Sequence, residues 1–183
     1  MLILALDIAT YCGFALGRAG EIPASGSVRL KRPGEPADVA AFNMRCFLRD
    51  RLMLERPDLI CIEHYLNPVA QKSADAVILQ LMCFGVAVAE AMARDIRHEK
   101  PAASTVRKHF IGAANKGERK ATKAAVLNRA RALGYIPRDC IDDNRADACA
   151  IWDYAAATYA RVRPSKLVMF DEIPGAAHPE ARQ

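Results

Sequence analysis

Six consecutive apolar residues, Leu2 to Leu6 after Met1, end abruptly on Asp7. A continuous apolar run of this length, with no polar alternation, predicts a strand buried on both faces. "CGFALGR" and "ASGSVRL" follow with Gly and Pro punctuation between them, predicting two further strands in an antiparallel meander. "KRPGEP" breaks the chain, and residues 38–54 return at helical spacing through Val39, Phe42, Cys46 and Met53. "RPDLICIEHY" predicts a turn and a second buried strand, Leu59 to Glu63. Residues 74–93 carry the clearest helical period, with Ala74, Val77, Ile78, Leu81, Met82, Gly85, Val88, Ala89 and Met92 on the i, i+3, i+4 pattern. "IRHEK" predicts a short strand, and Ser104 an N-cap for a helix ending near Ile111. A basic helix stops at Gly134, and a last helix runs from about Asn144 to Tyr159.

Strands separated by helices require crossover connections and pair in parallel, whereas the opening meander is antiparallel. The expected fold class is therefore α/β, a mixed five-stranded sheet with helices on both faces. Residues 1–160 are expected to form one domain, and 161–183, with Pro164, Pro174 and Pro179, a loosely ordered tail.

Two acids each close a buried strand, Asp7 and Glu63, where α/β sheets place their sites. "CIDDNRADACAIW" adds Asp142, Asp143 and Asp147 at the start of the last helix. Taken alone, Asp142, Asp143 or Asn144 would serve as a helix cap or dipole partner. Asp147 is harder to assign that way, because apolar residues surround it, and it shares a helical face with Asp143 at i+4. Converging carboxylates repel one another, and divalent cations remove the conflict. An all-oxygen donor set favours Mg²⁺, with Mn²⁺ able to substitute, over zinc. A pair of such ions can position the attacking and leaving oxygens of a phosphodiester. Neither Ser73 nor Ser104 lies in a G-x-S-x-G context, and His64, next to Glu63 on a strand, is expected to face the opposite side.

Charge extends this picture. The formal net charge is +5, and the pI is near 9.0. Arg107, Lys108, Lys116, Lys120 and Lys123 concentrate basic charge between the acids in sequence, with Lys116, Lys120 and Lys123 at i, i+4 and i+7 if the helix begins early. Such a face is either merely solvated or holds the phosphates of a polyanion. Six scattered cysteines, none in a CxxC pair, argue against a zinc knuckle and for reduced thiols inside a cell. The apolar run at the N-terminus is too short for a signal peptide, and Gln80 and Glu90 interrupt the longest apolar stretch, so no membrane span is expected. Gly85, in the middle of a helix that is apolar on more than one face, suggests close approach of another helix and hence a homodimer.

Together these stretches resemble the RuvC family of Holliday-junction resolvases, within the ribonuclease H-like superfamily. "ILALDIATYCGFAL" is similar to the hairpin bearing the first catalytic aspartate, here Asp7, and "RPDLICIEHYL" to the strand bearing the catalytic glutamate, here Glu63. "NPVAQKSADAVILQLMCFGVAVAEA" resembles the helix that forms much of the family's dimer interface. "STVRKHFIGAANKGERKATKAAV" resembles its basic segment, with Arg107 and Lys123 at functional positions, and "DDNRADACAIW" its last acidic helix start. The resemblance implies a ribonuclease H-like fold, two Mg²⁺ per active site held by Asp7, Glu63, Asp143 and Asp147, and a homodimer cleaving branched DNA. It also implies a cytoplasmic, bacterial or phage-encoded protein. The bacterial spacing puts Asn144 at the third ligand position, whereas phage-type members show an acidic pair, which favours Asp143; Asn144 is the alternative. Where bacterial members carry a junction-stacking aromatic, this chain has Leu66, with Tyr65 beside it as the candidate DNA contact. The alternatives are a related nuclease with broader branched-DNA or RNA–DNA substrates, and a catalytically silent nucleic-acid scaffold.

Overall fold

The computed structural model describes residues 1–64, 73–114 and 117–160. Tyr65, Leu66, Lys116 and the expected tail therefore lie outside the described residues. Five strands, β1 (Leu2–Asp7), β2 (Tyr11–Arg18), β3 (Ala24–Arg29), β4 (Leu59–Ile62) and β5 (Arg97–Glu99), form one sheet in the order β3-β2-β1-β4-β5. The meander β1-β2-β3 is antiparallel, and β1, β4 and β5 are parallel. This is the expected mixed five-stranded sheet with helices on both faces.

Side chains alternate between the faces of β1 and β4 with a period of two. Leu4, Leu6, Ile60 and Ile62 enter one core with Met44, Leu48, Leu79 and Cys83 of helices α1 (Ala37–Leu54) and α2 (Ala74–Met92). Ile3, Ala5, Leu59 and Cys61 enter the other, beneath α3 (Ala103–Ile111), α4 (Arg119–Ala132) and α5 (Asp143–Tyr159). The same alternation assigns Asp7 and Glu63 to the α5 face.

The seat of α5 is set by one glycine. A Cβ at Gly13 would meet the Asn144 carbonyl oxygen at 2.0 Å and the Ala148 Cβ at 3.2 Å. Gly13 pairs with Asp7 across the β1–β2 ladder, so the first turn of α5 sits directly beside the end of β1. Small buried residues, Ala146, Ala148 and Ala150, continue this close contact. The helix is also tied down by polar bonds. Trp152 Nε1 donates to the Gly17 carbonyl at 3.2 Å, and buried Asp153 accepts from Tyr135 at 2.6 Å and meets His109 Nε2 at 2.8 Å. Such a network holds its members in one arrangement, because any lost partner would leave a buried polar group unsatisfied.

Two local expectations change. The residue before the first turn of α3 is Ala102, with no side-chain cap, so Ser104 lies inside the helix rather than at its start. Helix α4 begins at Arg119, which leaves Lys120 and Lys123 one turn apart on it and places Lys116 before it. Helix α2 is, by length and composition alone, apolar enough to cross a membrane. Leu79, Cys83, Ala87 and Ala91 nevertheless give it a buried face on the core shared with α1.

Candidate active site

Asp7 and Glu63 are neighbours by register. Leu6 pairs with Ile62 across the parallel β1–β4 ladder, and the Glu63 N–H donates to the Leu6 carbonyl at 3.1 Å. Asp147 reaches the same place from above, one turn into α5. The three acids line one cleft of about 480 Å³, together with Gln80 of α2, Arg107 of α3, Arg119 and Lys123 of α4, and Asn144.

The electrostatics of these acids show that they act on one another. Burial, then Glu63 and Asp147, push the Asp7 carboxyl well above its ordinary range, against the pull of Lys123 and Arg107. Burial pushes Glu63 up to about 7; Arg107 opposes this and Asp147 adds to it. Burial likewise raises Asp147 to about 6, with Arg107 and Lys123 the leading opponents. Three half-buried acids with raised values form a site that is poorly satisfied by its own cations.

The donor chemistry fits a hard divalent cation. All three groups offer carboxylate oxygens, and Cys12, whose thiol feels the Asp7 charge, is buried and pushed up by burial and then by Asp7. Among the described residues no three His, Cys, Asp or Glu side chains are already gathered into a complete metal cage. Asp7, Glu63 and Asp147 line the cleft without closing on a common point.

The arrangement of sheet and helices is shared with solved structures. One structure of RuvC from Thermus thermophilus has a TM-score of 0.64 at 18% identity, covering 88% of this chain and 96% of that one. T. thermophilus RuvC in complex with a Holliday junction substrate has a TM-score of 0.66 at 16% identity, with the same coverage. The yeast mitochondrial Holliday junction resolvase Ydc2 has a TM-score of 0.56 at 12% identity, covering 87% of this chain and 81% of that one. The fold is that of the RuvC resolvases. No family model and no curated protein matches the sequence.

Within this RuvC-like frame the residues singled out in the sequence fall into distinct groups. Asp7, Glu63, Asp147, Arg107 and Lys123 come together in the cleft. Asp143 does not line it. Its carboxylate is ion-paired with Lys123, and although burial pushes it up, the Lys123 hydrogen bond and charge and nearby backbone N–H groups bring it below its ordinary value. Asn144 lines the cleft in its place. Asp142 caps α5, accepting from the Arg145 N–H at 3.1 Å and from Ser27 Oγ at 2.5 Å. Lys120 lines an adjoining groove, and Lys108 is exposed near the end of α3. His64 lies on the other side of the sheet, its ring 6.2 Å from that of Phe84 on α2.

Arg119 and Gln80 line the cleft and were not singled out for the site from sequence. Arg119 was visible only as one basic residue among many. Gln80, whose amide donates to the Ile8 carbonyl at 3.4 Å, had left a signal as a polar break in the apolar run of α2.

Proposed function

We propose that this chain is a divalent-metal-dependent endonuclease of branched DNA. The observation that carries the reading is the convergence of Asp7, Glu63 and Asp147 in one cleft walled by Arg107, Arg119 and Lys123. Acids alone would repel a phosphodiester, and cations alone would bind it without cutting; their interleaving suits a site that does both. Asp7, Glu63 and Asp147 are the residues to hold the metal. Asn144 can add a neutral oxygen, and Asp143 joins them only by giving up Lys123. When bound, a pair of Mg²⁺ or Mn²⁺ ions would supply the charge that activates a water and steadies the leaving oxygen.

The chain's own residues do the rest. Arg107 and Lys123 neutralise phosphate oxygens at the cleft wall, and their fixed positions on α3 and α4 set the strand's orientation. Lys108 and Lys120, exposed, add salt-dependent attraction without base information. Gln80 braces the turn after β1 through Ile8, fixing the approach to Asp7. The RuvC of known structure with a Holliday junction bound supports a four-way junction as the first substrate to test.

Two further parts belong to this proposal. Helix α2 turns Ile78, Leu81, Met82 and Met92 outward, and Gly85 between them has no neighbour within 4 Å of a built Cβ. A second copy of the chain is the partner proposed for that face, giving two sites for paired cuts on a two-fold junction. The six cysteines are all free, which suits a reducing compartment within a cell.

The test is incubation with labelled four-way junction, fork, duplex and RNA–DNA hybrid, each with Mg²⁺ and with EDTA. The proposal expects Mg²⁺-dependent cuts, fastest on the junction, and none with EDTA. Cutting of the hybrid in preference to every DNA substrate would move the chain to a ribonuclease role. Binding without cutting under all conditions would favour a silent scaffold.

A further inference from the structure

Beside the acid cleft lies a second cavity of about 590 Å³, which shares Arg119 and Lys123 with it. One wall is a single stripe of α4: Arg119, Lys120, Lys123, Ala124 and Leu127. The opposite stripe of the same helix, Thr122, Val126 and Ala130, is buried in the core, so the groove-facing side is fixed. The stripe is graded. Its cations occupy the first turns of the helix, where the backbone also favours anions, and its apolar residues follow.

The other wall contains Asp143, ion-paired with Lys123, and Ile141, which at 84% exposure is the most exposed large apolar side chain among the described residues. Ile141 is held firmly. Arg131 of α4 grips the preceding carbonyl, that of Cys140, through Nη2 at 2.6 Å and Nε at 3.1 Å. The following residue, Asp142, is fixed by its cap and by Ser27. An isoleucine presented to water on a pinned backbone gains nothing from the fold; apolar side chains so placed in DNA-binding proteins act as wedges between base steps.

We propose that this groove receives the nucleotide next to the one held in the acid cleft, with its phosphate on Arg119 and Lys120 and its base turned out of the stack against Leu127 and Ile141. The inference rests on the nuclease reading and deepens it. A nucleotide combines an anionic end with a flat apolar body, and the groove combines a cationic end with an apolar one. A protein segment would meet the same apolar wall without needing Arg119 and Lys120 beside it. Turning a base out costs least where stacking is already broken, so the groove favours a branch point over continuous duplex. It thereby gives structure selectivity without sequence readout.

The experiment uses the full chain and a four-way junction with Ca²⁺ replacing Mg²⁺ to hold the complex uncut. 2-Aminopurine, whose fluorescence rises on unstacking, is placed at each position around the mapped nick in turn. The wild type is expected to raise the signal severalfold at one position. Ile141→Ser, at an exposed residue, should abolish that rise and slow nicking at saturating DNA about tenfold. Ala124→Gln, which fills the groove from α4, should do the same. The salt dependence of binding should stay unchanged in both, because the phosphate contacts remain. A bound and nicked junction with no rise at any position overturns this inference and leaves the nuclease reading standing. Retention of both the rise and the rate by the two variants overturns it as well, and assigns the groove to a protein partner or a second copy. Failure of the wild type to bind the junction removes both readings.

Discussion

On one side of the sheet, α5 buries Ala146, Ala148, Cys149, Ala150, Ile151, Trp152, Asp153, Ala155 and Ala156; on the other, the slightly longer α2 buries only Leu79, Cys83, Ala87 and Ala91. The α5 side approaches closely through small residues and locks itself with Asp153, Tyr135, His109 and Trp152. The α2 side keeps Ile78, Leu81, Met82 and Met92 facing outward. The first arrangement fixes position, as a site needs when three acids and several cations must meet within one cleft. The second leaves apolar area that a partner can cover. Two glycines summarise the contrast: Gly13 has no room for a methyl group, and Gly85 has nothing around it.

The largest expected effect is at Gly13. Gly13→Ala forces a methyl into the Asn144 carbonyl, so α5 must move away from β2. We expect a loss of about 3 kcal/mol in urea unfolding, at the upper end for an overpacked core, and loss of nicking because Asp147 moves with its helix. Wild-type stability in Gly13→Ala would mean that α5 is not seated as described.

A second effect, of intermediate size, tests the strain in the acid cleft. Glu63 rises from 4.5 to about 7, and Asp147 from 3.8 to about 6. Groups with raised native values keep protons that the unfolded chain has already given up. The stability these two groups contribute to the metal-free protein is therefore fully present below their ordinary values and is lost as pH climbs through this window to about 7. Mn²⁺ or Mg²⁺ should raise the Tm at pH 8 and scarcely at pH 5. A Tm that is flat across the window, or a metal effect that is equal at both pH values, would show that the acids do not share one site.

The smallest effect is at Gly85. Alanine is the better helix former, so Gly85→Ala should stabilise an isolated protomer by up to about 1 kcal/mol. If a second α2 packs against Gly85, the same change should instead weaken the dimer, lowering its mass by light scattering on dilution. Stabilisation with no effect on mass at any concentration would free this face from a dimer role.

Much of this contrast could be read along the chain. β1 and β4 were legible because each is an unbroken apolar run ending in an acid, and burial on both faces leaves no polar alternation. Asp147 was legible because apolar residues surround it. The choice between Asp143 and Asn144 was not. These neighbours differ by one step around the helix, and the rotation that brings Asn144 to the cleft is set by contact with Gly13, more than a hundred residues away. Lys123, which draws Asp143 aside, is also a tertiary partner with no local signal. Ser104 misled because a good capping residue stood two positions past the true helix boundary; the chain turns into α3 at Ala102 without a side-chain cap. Gln80 entered the site through the packing of α2, which no local pattern specifies.

The central claim is that Asp7, Glu63 and Asp147 hold metal for phosphodiester cleavage, and Asp7→Asn tests it most directly. The substitution keeps shape and removes one carboxylate oxygen from the acid whose value burial, Glu63 and Asp147 together raise. The measurement is Mg²⁺-dependent nicking of a labelled four-way junction at saturating protein, beside its binding by the same variant. We predict that nicking is lost while binding is kept or strengthened, because repulsion of the phosphate falls. Substantial nicking by a folded Asp7→Asn protein would contradict the account and remove Asp7 from the site.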